Sequence, residues 1–142
     1  MTLPITGAMR YAFFRVHFLD SMKAYETDIS QYNKSMDSRL QSIRIVRSQA
    51  PKRDYGILDE MIRDATVFKS RITRLQSRMQ SLQLEVDATE KADVDVMESI
   101  LDEKSEKFAA LRDSWKRFRD DLLTAFSRWK EHEKAMLARW QE

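Results

Sequence analysis

LDEMIRDATVFKSRITRLQSRMQSL, residues 58–82, places an apolar side chain at Leu58, Met61, Ala65, Phe68, Ile72, Leu75, Met79 and Leu82. The steps alternate three and four, which lines these side chains along one seam of an α-helix. The same spacing recurs at Val94, Met97, Leu101, Phe108, Leu111, Trp115, Phe118, Leu122, Ala125, Trp129 and Met136. It also runs through Met9, Ala12, Val16, Leu19, Met22, Tyr25, Ile29, Tyr32, Met36, Leu40, Ile43 and Val46. Between Val86 and Val94 the seam slips by one residue. A chain written this way packs long helices side by side.

The breaks between the stripes set the elements. Pro4 and Gly7 make residues 1–7 an irregular lead-in. Pro51 has no amide hydrogen to continue a helical ladder, and it biases Ala50 out of helix. Asp54 then fits an N-cap. In the polar stretch after Val86, Asp87 and Glu90 fit a capping box. Helix 1 is predicted over about 8–49, helix 2 over about 55–86 and helix 3 over about 91–141. A single long helix running through 86–94 with a skip is the alternative. A turn is preferred, because folding back buries all three stripes within one chain. The predicted fold is all-α: one helical domain, 1–142, forming an elongated antiparallel three-helix bundle of coiled-coil character.

Composition supports this architecture. Two glycines and two prolines in 142 residues leave few turns. No apolar run approaches the roughly 20 residues of a membrane span. Arg10 and Arg15 without an acid in the first 19 residues faintly resemble a presequence, but the segment has no Ser and passes smoothly into a helical pattern. The absence of Cys removes thiolate chemistry and suits a reducing, cytoplasmic setting. Net charge is only +2, yet residues 39–78 carry ten bases against four acids, and residues 85–106 carry nine acids against Lys91 and Lys104. Such polarity favours oriented association.

Chemistry finds little support. His17 and His132 are far apart in sequence, and no glycine-rich loop could cradle phosphate. Asp93, Asp95 and Glu98 lack the glycine and alternating oxygens of a calcium loop. An enzyme, a metal site and a cofactor are therefore not expected. Trp115 and Trp129 fall on the seam and read as core. Tyr11, Phe13, Phe14 and Phe18 exceed what one helical face can bury. Phe13, Phe14, Phe18 and Trp140 are assigned to an oligomer or partner interface. Insertion of the aromatic segment into a lipid headgroup region is the alternative. Arg71, Arg74 and Arg78 form a basic ridge whose expected neighbour is the acidic segment 85–106. Nucleic acid is disfavoured, since no recognition helix or stacking motif accompanies the bases.

LDEMIR at 58–63, followed by Val67, Phe68, Lys69 and Ile72, resembles the middle helix of sorting-nexin-type BAR domains. Phe118, Leu122, Leu123, Phe126, Met136, Leu137 and Trp140 are similar to the last helix of that family. Together these stretches cover about a third of the chain. The resemblance implies a dimeric, crescent-shaped bundle, peripheral on anionic membranes. It implies lipid contacts at Lys52, Arg53, Arg63, Lys69, Arg71, Arg74 and Arg78, with the N-terminal aromatic segment inserting. The functional expectation is a non-enzymatic coiled-coil scaffold that self-associates or joins other helical proteins. The BAR-like membrane-binding dimer is the alternative.

Overall fold

A computed structural model describes residues 7–89 and 97–141. Their elements are α1 (Gly7–Gln49), a short 3-10 turn (Lys52–Asp54), α2 (Tyr55–Thr89) and α3 (Met97–Trp140). The fold is an all-α bundle in which the three helices pack against one another. The break between α1 and α2 falls where Pro51 demands it. Pro51 is extended (φ −61°, ψ 148°), and Asp54 N donates to Pro51 O at 3.0 Å to close the turn. α2 runs three residues past its expected end at Val86, so Asp87 lies inside its last turn and does not open a capping box for α3. Glu90 and the segment to residue 96 lie outside the described residues, as do the side chains of Val94 and Met97.

The chain divides into two compact units, each built from parts of all three helices. The first joins residues 1–29 to 74–115. Here Tyr11, Phe18, Met22 and Ile29 of α1 are buried with Leu75, Met79, Leu82 and Val86 of α2 and Leu101, Phe108, Leu111 and Trp115 of α3. Tyr11 Oη donates to Val86 O at 3.1 Å. That carbonyl belongs to the last turn of α2, which has no partner within the helix. Phe14, Phe18 and Phe108 form an aromatic cluster with centroids 5.4–6.1 Å apart. The step from Leu101 to Phe108 skips one seam position, and Lys104 fills it, buried, with its Nζ 3.2 Å from Glu85. Lys107 reaches the same carboxylate at 3.0 Å. Hydrogen bonds from Lys107 and then Lys104 hold Glu85 below its ordinary carboxyl value. The reciprocal bonds to Glu85 and Glu103 raise Lys107.

The second unit joins residues 30–73 to 116–142. Met36, Leu40 and Ile43 pack with Leu58, Met61, Ala65, Phe68 and Ile72, and with Phe118, Leu122, Ala125, Trp129 and Met136. Its polar pairs show the chain directions. Steps from Asp54, just before α2, up the helix through Asp64 and Arg71 are met by steps down α3 through Arg139, Arg128 and Asp121. Asp59 and Lys69 of α2 pair with Arg47 and Asp37 of α1. α2 is thus antiparallel to both neighbours.

The seam of α1 needs correction at its start. The stripe through Met9, Ala12 and Val16 is exposed, and the buried line is Tyr11, Phe18 and Met22, with Phe14 half-buried. From Met22 onward the expected stripe is buried or half-buried. The rings win because they cover more apolar area than Ala and Val at the same contact. Phe18→Ala, at a site with 0% exposure, should therefore lower the unfolding free energy by about 3–5 kcal/mol in urea titrations. Phe13→Ala, at a site 70% exposed, should change it by less than about 0.5 kcal/mol. The reverse order would restore the Met9–Val16 seam.

Candidate functional site

Among the described residues no three His, Asp or Glu side chains stand together as a metal site would need, and no helix is long and apolar enough to cross a membrane. His17 is exposed and meets the edge of Phe108 at 6.0 Å, while His132 is half-buried. Trp115 and Trp129 are buried in the two units. The buried Trp129 Nε1 has no acceptor among the described residues, so its ring serves by apolar area. The notable features are instead an exposed apolar face of α1 and a polar clamp at the α1–α2 turn.

The face is Met9, Phe13 and Val16, spaced four and three along α1. That spacing stacks them on one side of the helix. All three are exposed, Phe13 by 70% and Val16 by 62%. Of the residues expected at an interface, Phe13 therefore presents itself to solvent. Phe18 and Phe14 do not fit that expectation. Their rings pack on each other and on Phe108 within the chain.

Trp140 is exposed at its edge, but its indole Nε1 donates to Asp54 Oδ2 at 2.8 Å. Arg139 pairs with the other oxygen of the same carboxylate. Asp54 is only 1% exposed. It is a clamp rather than the N-cap its position suggested, because α3 delivers two donors to it from 85 and 86 residues away. Burial pushes the Asp54 carboxyl up. The hydrogen bonds from Trp140 and Arg139, with the charges of Arg139 and Arg53, outweigh this and hold it below its ordinary value. No sequence pattern marks this contact, since neither partner is near Asp54 in the chain.

The basic residues separate into two groups. Lys69 pairs with Asp37, Arg71 with Asp121 at 2.9 Å, and Arg78 Nη1 donates to Ser114 Oγ at 2.9 Å. Arg71 also lies over the rings of Phe68 and Phe118. Arg71 in one unit thus meets Asp121 and Arg78 in the other meets Ser114, and neither pairs with a described acid of 85–106. In the unit that holds Arg78, Glu85 of α2 is taken by Lys104 and Lys107. Lys52, Arg53, Arg63 and Arg74 remain exposed. Compared with known proteins, the chain matches no family model, no curated protein and no solved structure.

The clamp predicts a pH dependence. A carboxyl lowered on folding stabilises fully above its unfolded value of about 3.9, and that contribution is lost as pH falls through the lower folded value. Asp54→Asn should melt at least about 5 °C below the parent at neutral pH. The gap should close in acid below about pH 4 when both are followed by circular dichroism. A gap that stays constant down to acid would show that the charge of Asp54 is not what holds α3.

Proposed function

We propose that this chain is a non-enzymatic helical interaction module that pairs with itself, or with another helical protein, through the start of α1. The observation that carries this reading is the solvent exposure of Phe13 and Val16, with Met9 partly exposed on the same face. Large apolar side chains grouped on one face mark an interaction surface, whereas scattered ones do not. Each would gain roughly 1.5–3 kcal/mol on full burial. Two copies contribute six such groups, against an association cost of about 4–15 kcal/mol. The two ranges overlap, so burial of this stripe is of the size that association requires. The lack of cysteine suits a cytoplasmic setting.

A second reading, a BAR-like dimer on anionic membrane, is supported by the exposure of Lys52, Arg53, Arg63 and Arg74. Neither Arg63 nor Arg74 has an ion pair among the described residues. Each base near an anionic surface contributes about 1 kcal/mol, so a few of them give salt-sensitive binding at best.

Sedimentation velocity separates these readings. The parent should move from one chain mass toward two as concentration rises into the hundreds of micromolar, and Phe13→Glu with Val16→Glu should stay at one with unchanged helicity. A parent that remains monomeric throughout would defeat the self-association reading. For the membrane reading, the chain should pellet with phosphatidylserine vesicles at low salt. Arg63→Glu with Arg74→Glu should reduce the pelleted fraction severalfold. Pelleting that ignores both salt and this double substitution would remove the basic residues from the account.

A further inference from the structure

The α1–α2 turn and the last turn of α3 enclose a cleft of about 530 Å³, within the usual 300–1,000 Å³ of small-molecule sites. Val46 and Pro51 line it with apolar surface, Trp140 contributes an indole, and Arg53 and Arg139 bring two guanidinium groups from elements 86 residues apart. Among the described residues no acidic side chain lines it. The Asp54 carboxylate beside it is buried and already engaged by Arg139 and Trp140. From this convergence we propose that the cleft binds a small amphipathic anion: a single carboxylate carried on a flat aromatic body.

The chemistry follows from the parts. A guanidinium presents five donors in a planar fork matched to a carboxylate. Arg139 spends part of its fork on Asp54, which fixes the direction of the rest. The Arg53 side chain is 60% exposed and stands 4.0 Å from the Asp54 carboxylate, beyond hydrogen-bond distance, so its donors are available to a ligand. The same buried carboxylate holds the Trp140 ring by its N–H. That leaves an aromatic surface in a set orientation beside the two cations, where a flat ring can stack. Pro51 and Val46 complete an apolar wall that a bare inorganic anion would not use. The C-terminal ends of α1 and α3 lie here too, and their last turns carry Arg47 and Arg139 to offset the helix dipoles. Arg53 belongs to neither last turn, so it is surplus to that need.

The test uses the full chain, 15N-labelled, titrated with 2-naphthoate and with the neutral 2-naphthylmethanol of similar shape. 2-Naphthoate should shift the Trp140 indole resonance saturably and leave those of Trp115 and Trp129 in place. 2-Naphthylmethanol should bind at least about tenfold more weakly, since the charge-assisted bonds are lost. Arg53→Gln, at an exposed site that makes no hydrogen bond to Asp54, should weaken 2-naphthoate by a similar factor while lowering the melting temperature much less than Asp54→Asn does. Arg44→Gln, an exposed base outside the cleft, should leave the affinity unchanged. Equal affinity for the acid and the alcohol, joint movement of all three indole signals, or full affinity in Arg53→Gln would each overturn the assignment.

Discussion

Everything in this bundle depends on the fact that none of its three apolar stripes can be buried alone. A helix hides a stripe only against another helix, and isolated helices gain too little from their own hydrogen bonds to persist in water. Leu58, Ile72, Phe118 and Trp129 lose their water only because α1, α2 and α3 are all present at each level. Apolar burial at roughly 25 cal/mol per Å² is what opposes the ordering of so much chain. The few glycines and prolines matter for the same reason: the stripes need uninterrupted helices, and Pro51 stands where an interruption is needed.

Apolar seams fix that helices meet but discriminate weakly between slips of one turn. Polar pairs supply that discrimination here. In one unit, Asp54 of the turn and Asp64 and Arg71 of α2 each find their opposite on α3, and a shift of three or four residues would break all three. In the other, Lys104 occupies a seam position and is tolerated because Glu85 meets it. A buried base without that carboxylate would be costly, so any alignment that separates the two is disfavoured. The exposed pairs, such as Asp64 with Arg128, add little stability individually. Their value lies in making the wrong registers worse.

The surfaces left over after packing are the ones available for function. At the start of α1 the aromatic residues outnumber the room on the buried side. Tyr11 and Phe18 take it, and Phe13 and Val16 are left facing water. At the α1–α2 turn, Asp54 draws Arg139 and Trp140 inward and thereby sets a ring and two cations around a cleft. The first surface suits another helix, and the second suits an anion with an apolar body. They use different residues, so their roles are separable.

Much of this architecture is legible in the residues themselves. The three-and-four spacing from Leu58 to Leu82 and from Leu101 to Met136 fixes helices and their inward faces, because helical geometry leaves no other way to group those side chains. Pro51 fixes the first break through its missing amide hydrogen. At the start of α1 two overlapping stripes, Met9–Ala12–Val16 and Tyr11–Phe14–Phe18, satisfy the same period. Periodicity cannot rank them, and only the neighbouring Phe108 does. Likewise a single acid after a proline reads as a helix cap until the fold brings Arg139 and Trp140 to it. Local spacing determines what a residue is able to bury. Which partner it meets, some 85 residues along the chain, is decided only when the helices pack, because that contact energy exists in no single segment.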